Sequence, residues 1–268
     1  MATALITGAS AGLGRELARC FAADGHEVVL VARRRDRLEE LASELGAQFP
    51  GIRAHALACD LSQPGAVARL LQRVRELGLE IEFLVNNAGA GVAGRFAEQE
   101  LGRQIELIEL NIAAFVQLTH GLLPQMLARR RGRILNIGST AGFQPGPYMA
   151  SYYASKAFVN SFSEALCFEL RDTGVSVTLS CPGPTRTEFA ALAGIEGSRL
   201  FQLSAASANS VAEAAYQAMQ RGRAVAVHGW LNWLGVQLLR IGPRATVRWL
   251  IAALNQPPGA ASARERQR

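Results

Sequence analysis

Thr7-Gly8-Ala9-Ser10-Ala11-Gly12-Leu13-Gly14 follows a short apolar run at the amino terminus and leads into an amphipathic segment. Strand, glycine-rich turn and helix in that order make an anion cradle. Glycines at 8, 12 and 14 remove side chains where the chain must turn tightly and where a phosphate must approach the amides and positive dipole end of a helix. The spacing is GxxxGxG, not the more widely shared GxGxxG. A turn that binds nothing could carry the same letters, so the surrounding pattern has to decide.

Outward from this turn, short β-branched runs alternate with longer amphipathic segments, as repeated βαβ units do. Strands are expected at 4–7, 27–32, 53–58, 82–86, 133–138, 176–180 and 224–227. Helices are expected near 12–23, 35–45, 64–77, 100–127, 151–171 and 211–220. The fold class is therefore α/β, a Rossmann-like doubly wound fold with a seven-stranded parallel sheet flanked by helices. Of 268 residues, 49% are hydrophobic, enough to fill one core, and no linker divides the chain. We expect one catalytic domain over 1–254 and a disordered tail over 255–268, rich in Pro, Ala, Gln and Arg.

Charge and cysteine usage narrow the class. The formal charge of +6 comes from arginines spread over many segments. Arg129, Arg130, Arg131 and Arg133 cluster without interleaved aromatics and read as a solvated loop, so no nucleic-acid partner is expected. Cys20, Cys59, Cys167 and Cys181 lack metal-ligand spacing and read as core residues in a reducing compartment, with no metal site. The apolar run begins at Thr3, leaving no room for a charged leader, and no stretch of about 18 uninterrupted apolar residues occurs. The expected location is the cytoplasm.

The second strand ends Ala32-Arg33-Arg34-Arg35, with the first acid only at Asp36. A carboxylate at that tip would pair with the ribose 2′-hydroxyl of NAD, whereas a guanidinium grips a 2′-phosphate bidentately. The expected cofactor is NADP(H), held by Arg33 or Arg34.

Lys156 is the only lysine, against 27 arginines. A chain that otherwise uses guanidinium wherever it needs a cation keeps one ammonium here, a smaller group whose pKa burial can tune. It lies four residues after Tyr152, on the same face of an expected helix, so the two can converge on one small volume. A phenol with an ordinary pKa near 10 needs a nearby cation to work as acid or base at neutral pH. Ser139, after the fifth strand, can orient the oxygen that accepts a hydride.

These features together resemble the short-chain dehydrogenase/reductase family over roughly residues 3–190. Five motifs match in order: the glycine turn, Asn86-Asn87-Ala88-Gly89, Ser139, Tyr152-x-x-x-Lys156 and Pro182-Gly183. The resemblance implies that Tyr152 is the acid/base, that Lys156 lowers its pKa and holds the nicotinamide ribose, and that Ser139 orients the carbonyl. It adds Asn111 as a fourth member, in a water-linked proton relay to the lysine. It also implies cofactor contacts from Gly8, Ser10, Gly12, Leu13 and Gly14 at the phosphates, Arg33 at the 2′-phosphate and Asp60 at the adenine. Asn86, Ala88 and Gly89 would line the ribose pocket, and Pro182, Gly183 and Thr187 the carboxamide side. From the residues alone, Asp60 could instead cap the next helix, and Asn111 could serve a helix kink.

Two stretches depart from or extend the family pattern. Residues 188–209, with Leu192, Ile195, Leu200, Phe201 and Leu203, stand where the family places a substrate loop, and suggest a lipophilic carbonyl substrate. Phe143, Pro145, Pro147 and Tyr148 would extend that wall. Beyond the last strand, residues 229–254 hold all three tryptophans, Trp230, Trp233 and Trp249, with Arg240, Arg244 and Arg248 at four-residue intervals. That composition suits a lid or subunit contact, or a helix pair that touches lipid at the membrane surface. The extension puts the family's usual tetramer in question, and a homodimer is the equal expectation. The expected activity is hydride transfer between NADPH and an apolar ketone, aldehyde or 3-oxoacyl compound. Running mainly toward oxidation, or serving only as a dinucleotide-binding regulator, are the alternatives.

Overall fold

The computed structural model describes residues 1–195 and 205–256. Seven strands, β1 (Thr3–Thr7), β2 (Glu27–Ala32), β3 (Ala54–Ala58), β4 (Ile81–Asn86), β5 (Gly132–Ile137), β6 (Val175–Cys181) and β9 (Val225–Val227), form one sheet. Their order is β3-β2-β1-β4-β5-β6-β9, and every pairing is parallel. The winding reverses between β1 and β4, which opens a crevice at the carboxyl ends of those strands.

Alternate residues along each strand feed two separate cores, as side-chain parity requires. Ala4 and Ile6 of β1 join Leu17 and Phe21 of α1 (Gly12–Ala23), Leu38 and Leu41 of α2 (Arg35–Gln48), and Ala215 and Met219 of α8 (Ala208–Gln220). Leu5, between them, joins Leu70 of α3 (Ala66–Glu76), Leu118 and Leu122 of α5 (Phe115–Ala128), and Leu166 of α6 (Ala150–Glu169). Both faces are thus apolar, and each such Leu or Phe contributes roughly 1.5–3 kcal/mol by leaving water.

The long helix expected over 100–127 is not continuous. It begins as α4 (Leu101–Ile108), widens into a π-helical turn at Glu109–Ala114 and resumes as α5. By length and composition Leu101–Ala128 could cross a membrane, yet Leu118, Leu122 and Met126 are buried against the sheet. Short elements also appear where the sequence predicts only loop. β7 (Thr185–Arg186) pairs β8 (Ala206–Ser207), and α7 (Glu188–Ala193) lies beside the crevice. Leu200, Phe201 and Leu203 of the expected substrate loop, and the tail beyond residue 256, lie outside the described residues.

After β9 the chain forms α9 (Trp230–Ile241) and α10 (Arg244–Asn255). Gly242 and Pro243 separate them, since proline cannot continue a helix. Ile251 of α10 is buried with Met149, Tyr153 and Ala193.

Candidate active site

The crevice is a cleft of about 600 Å³ running from the turn after β1 to α7 and α10. At its floor Gly8 and Gly12 adopt φ of +67° and +54°, a left-handed backbone that side-chain-bearing residues rarely take. Gly14 is tighter still: a Cβ there would stand 2.3 Å from the Gly8 carbonyl oxygen. Thr7 holds the turn from below, donating from Oγ1 to the Val85 carbonyl at 3.1 Å and accepting from the Asn87 and Ala88 amides at 3.0 Å. Ala11 caps α1 without a side-chain acceptor, so the first amides of the helix are left to an anion. Gly8, Ser10, Gly12 and Leu13 line the cleft; Gly14 lies behind it, where its missing side chain lets α1 close on the turn.

At the adenine end both Arg33 and Arg34 line the cleft. Arg33 pairs with Glu106 of α4 at 3.2 Å; Arg34 pairs with Glu188 of α7 at 2.8 Å and reaches Ser10 Oγ at 3.3 Å. Asp60 also lines the cleft, and its Oδ1 accepts from the Ser62 amide at 3.1 Å and the Ser62 hydroxyl at 2.7 Å. The carboxylate therefore turns the chain after β3 and faces the cleft at once. The glycine cradle and helix amides fit the phosphates of a nicotinamide dinucleotide.

Ser139, Tyr152 and Lys156 all line the cleft. Ser139 lies close enough to the Tyr152 phenol to pull its pKa down, and its Oγ accepts from the Ala141 amide at 3.0 Å. Lys156, 7% exposed, donates from Nζ to the Ile137 carbonyl at 2.8 Å. Burial pushes the Lys156 ammonium down to about 8 and the Tyr152 phenol up to about 12, with Ser139 pulling the phenol back only in part. Burial is the largest influence on the phenol, and Lys156 is not among the groups that shift it in this structure.

Asn111 sits in the π-helical turn with its amide fully engaged: Oδ1 accepts from the Ala90 amide at 2.8 Å, and Nδ2 donates to the Ala90 carbonyl at 2.9 Å and to Ser155 Oγ at 3.0 Å. A Cβ added to Gly89 would lie 3.4 Å from Asn111 Oδ1 and 3.8 Å from Lys156 Nζ. Asn111 therefore stands directly behind the stretch of wall that Gly89 and Lys156 line, and the widened turn is what brings it there.

A model of the family described as short chain dehydrogenase matches residues 2–195. The chain belongs to the short-chain dehydrogenase family. It is 40% identical over 187 residues to sulfoacetaldehyde reductase 2 of Chromohalobacter salexigens, covering 69% of this chain and 73% of that one. A short-chain dehydrogenase from Sphingobium yanoikuyae, solved in complex with NADPH, superimposes with a TM-score of 0.79 at 35% identity, over 92% of this chain and 97% of that one. A family member from Burkholderia phymatum, solved in complex with NAD, gives a TM-score of 0.80 at 25% identity, over 88% and 92%.

In this short-chain dehydrogenase a second expected contact, besides Gly14, falls elsewhere. Asn86 does not line the ribose pocket: it is 6% exposed and donates from Nδ2 to Thr119 Oγ1 at 3.1 Å and Asn136 Oδ1 at 2.9 Å. Strand parity is the reason, since Phe83 and Val85 face the core of α1 while Leu84 and Asn86 face α5. Asn87 lines the cleft in its place, donating to the Thr7 carbonyl at 2.8 Å, beside Ala88 and Gly89. Counting alternate positions along β4 would have found it.

The substrate end has an apolar wall of Val92, Ala141, Met149, Tyr153, Phe189 and Leu192. The Phe189 ring lies 5.3 Å from that of Tyr152. Asn255, from the last turn of α10, closes the wall by donating to the Pro147 carbonyl at 3.2 Å and bonding the Tyr153 hydroxyl. Pro182, Gly183 and Thr187 line the opposite side, and the Thr187 methyl would meet a Cβ on Gly12 at 2.9 Å. Glu106 and Asn255 carried no sequence signal, as each reaches the cleft from a distant segment, whereas Gln144 and Glu188 stand beside signalled positions, five residues after Ser139 and one after Thr187.

Proposed function

We propose that this short-chain dehydrogenase uses NADPH to reduce an apolar ketone, aldehyde or 3-oxoacyl compound. The observation that carries the reading is that Ser139, Tyr152 and Lys156 line one cleft together with an apolar wall and the Arg33–Arg34 pair. A bound reduced dinucleotide supplies the hydride. Tyr152, protonated at neutral pH because burial holds it near 12, gives its proton to the carbonyl oxygen as charge builds there. Ser139 Oγ offers a second hydrogen bond to the same oxygen. The Lys156 ammonium steadies the phenolate left behind, and Asn111 keeps the backbone at Ala90 in place beside it. A resident phenol rather than phenolate favours reduction over oxidation.

NADPH preference rests on Arg33 and Arg34 and on the absence of a carboxylate at the tip of β2. A cytoplasmic location, with its reducing conditions, suits four free thiols. Exposed Leu101, Ile105 and Phe168, on α4 and α6, support a homodimer through those helices.

The test follows NADPH consumption over a panel of carbonyl compounds. Tyr152→Phe is expected to lower kcat by ~10²–10⁴ while NADPH still binds; equal turnover would defeat the assignment. Arg33→Ala with Arg34→Ala should weaken NADPH by ~10–100-fold and NADH far less. Similar losses for both cofactors would remove the 2′-phosphate reading.

A further inference from the structure

α9 and α10 turn one side to the fold and the other to solvent. On the inner side Val236 is 3% exposed, and Val247, Ile251 and Leu254 pack with Tyr153 and Met149 at the substrate end of the cleft. On the outer side Trp230, Leu231, Trp233, Leu238, Ile241 and Trp249 are 54–82% exposed. Exposed apolar side chains such as Leu101 and Phe168 occur elsewhere, but here six stand on two consecutive helices, and such patches mark an interaction site.

Charge says what covers it. Between Glu213 and Glu265 the sequence holds no acidic residue, while Arg221, Arg223, Arg240, Arg244 and Arg248 fall within that stretch. Arg244 and Arg248 are exposed one helical turn apart, beside Trp249; the Arg240 side chain lies outside the described residues. A second copy meeting this face across a two-fold axis would set arginine against arginine with no carboxylate to answer them. An anionic lipid surface answers both features: it takes tryptophan and leucine into the boundary of its acyl chains and attracts arginine to its headgroups.

We propose that the α9–α10 pair is a docking surface for anionic lipid bilayers, placing the substrate end of the cleft against the membrane. The proposal stands apart from the substrate reading, because its readout is lipid association and not turnover. The full chain is floated with phosphatidylcholine vesicles, with and without ~30% phosphatidylserine, while tryptophan emission is recorded. Flotation with the anionic vesicles alone is expected, with a blue shift of emission and a loss of binding as salt rises. Trp230→Ser with Trp233→Ser should abolish flotation, and Arg244→Glu with Arg248→Glu should reduce it ~10-fold or more, both with thermal melting unchanged. The comparison of the two lipids in the native chain needs no variant. Absence of flotation overturns the proposal, as does equal flotation with both lipids. So does a native chain that stays off vesicles but whose assembly falls apart when the tryptophans are replaced, which would make the face a subunit contact.

Discussion

At the amino end of the sheet Glu27 is 5% exposed, and both of its oxygens are matched: Thr3 Oγ1 at 3.1 Å, His55 Nε2 at 2.8 Å and Arg53 Nε at 3.0 Å. At the carboxyl end Lys156 is 7% exposed, with a carbonyl oxygen, that of Ile137, as its partner. The two ends respond to burial in opposite ways. Burial alone would raise the Glu27 carboxyl, but hydrogen bonds from His55 and Thr3 and the charge of Arg53 hold it below its usual range. Burial of Lys156 is opposed only by Cys181 and lowers the ammonium to about 8. A buried ion with its partners in place supports the fold; one kept short of partners is strained toward neutrality and available for chemistry.

The sharpest way to break this contrast is to remove the ion at each end. Lys156→Met should reduce kcat by ~10²–10⁴, the range typical of losing an acid–base partner, yet raise the melting temperature by a few degrees, since it removes a desolvated charge. Turnover assays and calorimetry on one preparation check both halves, and a lower melting temperature would remove the claim that the site costs stability. Glu27→Gln should do the reverse, leaving kcat/KM unchanged and destabilising by about 1–3 kcal/mol, measured by urea unfolding. That loss is confined to conditions where the native carboxyl is ionised. With the folded pKa lowered, the stabilisation is present above the usual carboxylate range and disappears as pH falls through the folded value, so native and variant chains should converge in acid.

The smallest effect is a matter of pH. Lys156 loses its proton near 8 and Tyr152 only near 12, so kcat/KM for reduction should decline as pH rises through about 8, while the phenol remains a donor. A profile flat to pH 10 would place the cation elsewhere.

What the sequence makes legible is local. Gly8, Gly12 and Gly14 announce a turn because the constraint on each arises within a few residues of it, and Tyr152 and Lys156 announce a pair because helical spacing alone puts them together. Asn86 shows the next level of difficulty: its segment is right, but which of two adjacent asparagines faces the cleft depends on strand phase. Glu106 and Asn255 show the last, since they reach the site from α4 and α10 through packing that no short motif encodes. The direction of the Tyr152 shift belongs there too, for depth in the fold, and not neighbouring letters, pushes the phenol to about 12.

The wide turn at Glu109–Ala114 has a genetic corollary. A helix that has taken in extra length can give it back: loss of one codon between Ile108 and Asn111 would let an ordinary helix close, swinging the neighbouring side chains by about 100°. Every signature letter would survive such an indel, while the amide that braces Ala90 would point away from the lysine. Gene copies that have abandoned this chemistry should therefore be recognisable by their length at this spot before any active-site residue has changed.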